Sequence, residues 1–170
     1  KKTIHELSKL LSDIDEEIEI NISSTKITFL IKNCIFISKL IDGTFPDYKR
    51  VIPSDNNNIV EVNREKLLAA VDRVSTIAND KSPVIKFKFL KNIINLNTVN
   101  SENSTATEDL SLEYEGDEFE IGFNSKYIMD IVNNLEDETI FLNLKNGSSP
   151  ITAHEKSNPN LVYVLMPMRV

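Results

Sequence analysis

Apolar residues recur at helical spacing in three stretches of the chain, residues 1–12, 64–78 and 125–135, and each stretch predicts an amphipathic helix. Asn63 and Asn124 stand immediately before the second and third stretches, where an asparagine side chain can cap the free backbone N–H groups of a helix. The positions predicted to face the core are Ile4, Leu7, Leu10, Leu11, Leu67, Val71, Val74, Ala78, Ile128, Ile131, Val132 and Leu135.

Alternation of apolar and polar residues predicts strands between these helices. Residues 17–40 predict an antiparallel meander with polar breaks at residues 23–24 and 32–33, and Cys34 is expected to be a small buried residue within it. Further strands are predicted at residues 59–62, 84–89, 93–98, 110–114, 118–123, 139–144, 151–153 and 162–166, with residues 100–108 as a polar hairpin tip.

The order of these elements is an internal repeat. Asn63 and Asn124 each end a strand and open a helix, and three strands follow each helix. Residues 1–12 look like the helix of a preceding repeat. One helix face under one sheet is poorly covered, so two repeats should pack together to form a domain. The predicted fold class is α+β, with helices on one side and antiparallel sheets on the other.

Residues 39–53 connect the meander to the repeats. Gly43 tolerates the backbone of a tight turn, and Pro46 disfavours helix, so the segment is predicted to be a stiff, extended crossing that carries Lys49 and Arg50. The polar run 54–58 predicts a linker. We therefore place a domain boundary here, with one domain at residues 1–53 and the other at residues 54–170.

Composition restricts the possible functions. The chain has 170 residues, 41% of them hydrophobic, which is enough for a packed core. A net charge of -7 argues against tight, passive binding to nucleic acid, because such proteins usually carry a basic stripe. The single cysteine is typical of a reducing compartment, and no apolar run is long enough to span a membrane. We expect a cytoplasmic protein, and because the chain begins at Lys1 we interpret it as a fragment.

The chain carries no motif for catalysis or metal binding. His5 and His154 are the only histidines, and no spaced cysteine, histidine or phosphate-loop pattern occurs. Gly147 and Ser148 begin a sequence that lacks the closing glycine of a nucleophile elbow. We expect no enzyme activity, no metal and no cofactor. Only a cavity with converging titratable groups would favour an enzyme.

Four stretches together resemble the bacterial sliding clamp family, the β subunit of the DNA polymerase III holoenzyme: residues 2–11, 39–53, 119–135 and 163–170. They occur in family order and with family-like spacing. The resemblance implies a DNA-clamp fold and a processivity factor that encircles duplex DNA as a ring-shaped homodimer. It also implies that the chain supplies the second half of the middle domain and the whole C-terminal domain.

The resemblance further implies a pocket that receives a short hydrophobic motif of the replicative DNA polymerase, the clamp loader and repair proteins. Carried over position by position, its residues are Pro46, Arg50, Val51, Asn124, Tyr127, Ser148, Pro150, Val164, Leu165, Met166, Pro167, Met168 and Arg169. The chain departs from the family pattern at Thr44, Ser148 and Val170.

Two alternatives concern the methionines and the DNA-facing surface. From the residues alone, Met166 and Met168 either fill a core, as in a structural or adhesive repeat domain, or line an adaptable peptide groove. Lys1 and Lys2 match a basic pair that faces DNA in the family. The remaining helix faces expected to point toward DNA are mixed in charge (Lys66, Asp72, Arg73, Lys126 and Asp130), which suits a ring that slides.

Overall fold

The computed structural model describes residues 2–44, 46–78, 83–100 and 103–169. The chain divides into two units, Lys1–Pro46 and Asp47–Val170. This division comes before the polar linker in which the domain boundary was placed, and the boundary after residue 53 stays a prediction.

The first unit is one helix followed by a three-stranded meander, as predicted. Its elements are α1 (Lys2–Leu11), β1 (Glu19–Ile22), β2 (Lys26–Ile31) and β3 (Cys34–Lys39). The strands pair in the order β1-β2-β3, all antiparallel, with breaks at the two predicted polar turns. A hydrogen bond of 2.9 Å between the hydroxyls of Thr3 and Ser38 connects α1 to β3.

Two burial predictions for the first unit are wrong. The predicted inward face of α1 is not buried: Ile4 is 66% exposed and Leu10 is 39% exposed. Within this unit one helix lies over one small sheet, and its described residues include no second helix that could cover the apolar stripe. Cys34 is exposed, because it begins β3 directly after a turn and lies at the end of the hairpin.

The crossing is only partly as predicted. Gly43 has a φ of 151°, a value that favours glycine and that confirms the turn. The later part of the crossing is not extended: Tyr48–Arg50 forms a short 3-10 helix, and the N–H of Val51 donates to the Tyr48 carbonyl at 3.0 Å. Pro46 restricts its own φ and the residue before it, so it leaves the residues after it free to turn.

The second unit contains two repeats of strand, helix and three strands, which confirms the predicted repeat. The first repeat is β4 (Asn58–Asn63), α2 (Arg64–Ser75), β5 (Val84–Leu90), β6 (Ile93–Val99) and β7 (Thr105–Ser111). The second is β8 (Phe119–Asn124), α3 (Ser125–Asn134), β9 (Thr139–Leu144), β10 (Ile151–Glu155) and β11 (Val162–Leu165).

Both helices begin at the predicted asparagine caps. The Asn63 side chain accepts from the N–H of Lys66, and the Asn124 side chain accepts from the N–H of Lys126, each at 3.0 Å. The end of α2 comes earlier than predicted, at Ser75, and residues 76–78 continue as turns with i to i−3 backbone bonds. Fraying of the last turn into such bonds is common at helix ends.

The predicted strand at residues 110–114 is wrong in its position. The strand is β7 (Thr105–Ser111), which pairs along its whole length with Ile93–Val99, so the polar tip is shorter than expected. β-Branched threonines at alternate positions favour this strand in spite of their polarity. Beyond it the chain leaves the ladder. The N–H of Leu112 donates to the Asn92 carbonyl and the N–H of Tyr114 donates to the Asn92 side-chain oxygen, each at 3.1 Å.

The two repeats exchange their first strands. The sheets have the orders β7-β6-β5-β8 and β11-β10-β9-β4, so β8 completes the sheet of the first repeat and β4 completes the sheet of the second. The helices α2 and α3 pack against each other, and both sheets contribute to one core with them. Its largest fully buried side chains include Phe87, Phe89, Phe123 and Leu67. This is an α+β fold with helices on one side and antiparallel sheets on the other.

Candidate functional site

A groove with a volume of about 570 Å³ lies between α3 and the end of the chain, within the second unit. We call it the α3–tail groove, where the tail is residues 166–169. Its lining residues are Asn124, Tyr127, Asp130, Ile131, Asn134, Tyr163, Val164, Leu165, Met166, Pro167 and Met168.

One wall of the groove is a face of α3. Its residues recur three or four positions apart, which places them on one side of a helix. Ile131 is 9% exposed and belongs to the core, whereas Tyr127 is 58% exposed and presents its ring to solvent. The wall therefore has a packed base and an aromatic rim.

The other wall is β11 and the tail. The strand ends at Leu165, and Pro167 cannot donate a ladder hydrogen bond. Leu165 is 5% exposed and anchors the strand in the core, while the next residue, Met166, is 59% exposed. Alternation along an extended chain thus turns the methionine outward.

The tail is held at both ends. At one end β11 pairs with β10, and at the other the N–H of Met168 donates to the carbonyl of Gly122 in β8 at 2.8 Å. The tail therefore spans from one sheet to the other. An apolar wall fixed in this way loses little conformational entropy when a ligand binds.

Comparison with known families decides the identity. Residues 49–169 match the model of the DNA polymerase III beta subunit, C-terminal domain, and residues 1–47 match the model of its central domain. The chain belongs to the DNA polymerase III beta subunit family. The resemblance found in the sequence is thereby confirmed.

Individual beta subunits agree with this assignment. The chain is 36% identical to the beta sliding clamp of Caulobacter vibrioides over 170 residues, which is all of this chain and 46% of that relative. It is 32% identical to the beta sliding clamp of Escherichia coli over the same length. The crystal structure of the sliding clamp from Bartonella birtlesii bound to griselimycin is 41% identical, with a TM-score of 0.89 over 99% of this chain and 46% of that one. The chain spans about half the length of the relatives it matches, and the DNA-clamp fold is confirmed.

The groove of this beta-subunit chain brings together seven of the residues predicted for the partner pocket. They are Asn124, Tyr127, Val164, Leu165, Met166, Pro167 and Met168. Arg50, Val51 and Arg169 are exposed in the second unit without lining the groove, and Pro46 belongs to the first unit.

Ser148 and Pro150 lie in the loop between β9 and β10. Asn146 orders this loop, since its side-chain oxygen accepts from the N–H groups of Ser148 and Ser149 at 3.0 and 2.9 Å. Gly147 packs against β8 so closely that an added Cβ would lie 2.1 Å from the Glu120 carbonyl oxygen. The loop thus rests on the same strand that receives the tail.

Sequence reasoning missed four lining residues, Asp130, Ile131, Asn134 and Tyr163. Helical spacing from Tyr127 could have found the first three, because residues three, four and seven positions later share its face. The sequence predicts Asp130 to be among the residues that face DNA, whereas in the structure it lines the α3–tail groove. The side of α3 that faces α2 carries Met129 and Asn133 instead.

Of the two lysines predicted to face DNA, Lys1 and Lys2, the structure describes only Lys2. Lys2 is exposed on α1, and Lys1 lies outside the described residues. On α2, Arg73 forms a two-pronged ion pair with Glu108, with its Nε at 3.0 Å from Oε2. This pairing raises the pKa of Arg73 and lowers the pKa of Glu108, with the side-chain hydrogen bond as the main cause.

Neither a metal site nor a membrane-spanning helix occurs in the described parts of the chain. Within the described ranges, no three His, Cys, Asp or Glu side chains are grouped so that they could hold a metal ion. No helix in the described parts of the chain is both long and apolar enough to cross a membrane.

Proposed function

We propose that the intact protein is a sliding clamp, a processivity factor that encircles duplex DNA as a ring-shaped homodimer. It acts in the cytoplasm, catalyses no reaction and needs no cofactor. It tethers the replicative DNA polymerase, the clamp loader and repair proteins through short hydrophobic motifs that occupy the α3–tail groove. Membership of the beta subunit family supports this proposal, and so does the groove.

The exposure of Met166 is the observation that carries the peptide-binding part. Its side chain is 59% exposed and lies in one groove with the 58%-exposed Tyr127, and contiguous exposed apolar surface is typical of interaction sites. The competing hypothesis, a structural or adhesive repeat with a buried methionine-rich tail, requires the Met166 side chain to be buried. Methionine suits a peptide groove because it is flexible and polarisable and so adapts to different partners.

The proposed site includes the other predicted residues as well. Arg50, Val51 and Pro46 would contribute from the crossing, Ser148 and Pro150 from the β9–β10 loop, and Arg169 from the tail. Lys1 and Lys2 would face DNA. In domain terms, residues 1–53 would complete the middle domain and residues 54–170 would form the C-terminal domain.

The decisive experiment is calorimetry with a pentapeptide of the type glutamine-leucine-x-leucine-phenylalanine. A micromolar complex corresponds to about 8 kcal/mol, shared among a few apolar anchors. Met166→Ala should therefore weaken binding by roughly 1–3 kcal/mol. Ile59→Ala is the matched control, because Ile59 is also 59% exposed but lies on β4, outside the groove. Equal affinities for wild type and Met166→Ala would remove the tail from the site, and no binding by the full-length protein would refute the platform.

Direct contact with DNA should be weak, because a ring holds DNA topologically. The chain has a net charge of -7, and Arg73 is already paired with Glu108. Fluorescence anisotropy with duplex DNA at physiological salt should show at most weak binding by this chain. Submicromolar affinity would reveal a contiguous basic surface and contradict the proposal.

A further inference from the structure

We infer that the α3–tail groove selects peptide segments that carry a positively charged residue beside their apolar anchors, and that Asp130 is the residue that recognises this charge. The inference rests on the proposed function of the groove as a peptide site. It adds a specificity rule, namely that cationic segments bind better than neutral ones and neutral ones better than acidic ones.

The lining of the groove contains a single charged side chain among its described residues. Among the described residues that line it, Asp130 is the one with a charged side chain at neutral pH; the others are apolar, aromatic or amide side chains. The lining itself therefore presents an apolar surface with one negative charge, while Arg50 and Arg169 of the wider proposed site lie outside it. A ligand cation would balance that negative charge.

No ion pair among the described residues neutralises the Asp130 carboxylate. The Asn134 amide donates to the main-chain oxygen of Asp130 at 2.7 Å, and so it leaves the carboxylate free. Lys126 precedes Asp130 by one helical turn, but none of the salt bridges found among the described residues involves either side chain. Asp130 is exposed and available to a ligand.

Asp130 lies within the length of α3 that a bound peptide would cover. The α3 wall runs from Asn124 to Asn134, which is about 15 Å at the rise of a helix. That length accommodates four or five residues of an extended peptide. The hydrogen bond from the Met168 N–H to Gly122 places the tail at the Asn124 end of the groove. Asp130 lies six residues further along the helix, which is about 9 Å at the rise of a helix. The recognised cation should therefore lie two or three residues from the anchor that contacts Met168.

The test uses a fluorescein-labelled peptide of the glutamine-leucine-x-leucine-phenylalanine type, extended by two residues at each end, with one position changed in turn to Lys, Gln or Glu. Binding to the full-length protein is measured by anisotropy. At one position the Lys peptide should bind about two- to fivefold tighter than the Gln peptide, the range expected for an exposed ion pair. The Glu peptide should bind more weakly than both. The preference should be larger at about 0.01 M salt than at about 1 M, where charges more than a few ångströms apart are screened.

Two variants assign the preference to the carboxylate. Asp130→Asn should abolish the Lys-over-Gln preference, and Asp130→Lys should reverse it. The control is Asp72→Asn, the same substitution at an exposed helical aspartate outside the groove, which should leave the preference intact.

The outcomes separate the two proposals. If every peptide binds with the same affinity, or if the preference survives Asp130→Asn, the charge rule is wrong and the peptide site remains. If no peptide binds to the full-length protein, the peptide site itself is wrong.

Discussion

The carboxylates of Asp137 and Glu155 accept reciprocal hydrogen bonds: each accepts from backbone N–H groups at or close to the other residue. Glu155 Oε2 accepts from the N–H groups of Glu136 and Asp137 at 2.6 and 3.0 Å. In return, Asp137 Oδ2 accepts from the N–H groups of Lys156 and Ser157 at 3.0 and 2.9 Å. Together they join the end of α3 to the end of β10, and so they support the helix that forms one wall of the α3–tail groove.

Glu155→Ala should destabilise the protein. Glu155 is 3% exposed, and its removal leaves two backbone N–H groups without their acceptor. An unsatisfied buried polar group costs about 1–3 kcal/mol. Urea unfolding followed by circular dichroism measures the change, with Glu118→Ala at an exposed position as the control. Equal midpoints for Glu155→Ala and wild type would show that water replaces the carboxylate.

Asp137 should make stability depend on acid pH. The N–H of Ser157 is the main cause that holds the pKa of Asp137 below its ordinary value of 3.8, and the Ser157 hydroxyl and the Lys156 N–H add to it. Because the folded-state pKa is lowered, this stabilisation is present in full above the unfolded-state pKa and is lost as pH falls through the folded-state pKa. The stability difference between wild type and Asp137→Asn should therefore shrink on acidification below pH 4. A difference that is constant with pH would show that the carboxylate charge is not involved.

Substitutions at the two helix caps, Asn63 and Asn124, distinguish an effect on stability from an effect on peptide binding. Asn63→Ala and Asn124→Ala should each lower the free energy of unfolding by about 1 kcal/mol, because each removes the acceptor of a backbone N–H at a helix start. Asn124 also lines the groove, whereas Asn63 does not. Thermal unfolding should shift for both variants, and calorimetry with the pentapeptide should report weaker binding for Asn124→Ala alone. Equal loss of binding in both would mean that stability, and not the groove, limits affinity.

Asn56 fastens the segment before β4 to the second repeat. Its Nδ2 donates to the carbonyl oxygens of Asn143 and Pro150, each at 2.9 Å, and its buried Oδ1 has no hydrogen-bond partner among the residues that the structure describes. Asn56→Asp should be more destabilising than Asn56→Ala at neutral pH, since a carboxylate would face two carbonyl oxygens and a buried unpaired charge costs more than a lost hydrogen bond. Chemical unfolding of both variants tests this order. The opposite order would show that the segment moves to expose residue 56 to water.

The sequence by itself determined the local elements, for local reasons. Asparagine caps, helical spacing and strand alternation act within a few residues, so the two helices of the second unit, the meander and the repeat could all be predicted. The same reasoning failed where burial depends on distant partners. Nothing local tells that Ile4 remains exposed or that the strand beginning at Thr105 pairs with β6 along its whole length.

The tertiary structure alone decided which strands pair and where the groove lies. Val60 pairs with Leu142 and Phe87 pairs with Ile121, because the first strand of each repeat joins the sheet of the other repeat. The apolar-polar alternation of a strand is the same whichever strand it pairs with, so the sequence pattern does not predict this pairing. The groove exists because the tail runs from β11 in one sheet to Gly122 in the other, where the N–H of Met168 donates to the Gly122 carbonyl. This course places the exposed side chain of Met166 beside α3. A pattern along the chain identifies which face of a strand or helix is apolar. The element that covers that face, or leaves it open, is set only when the two repeats pack together.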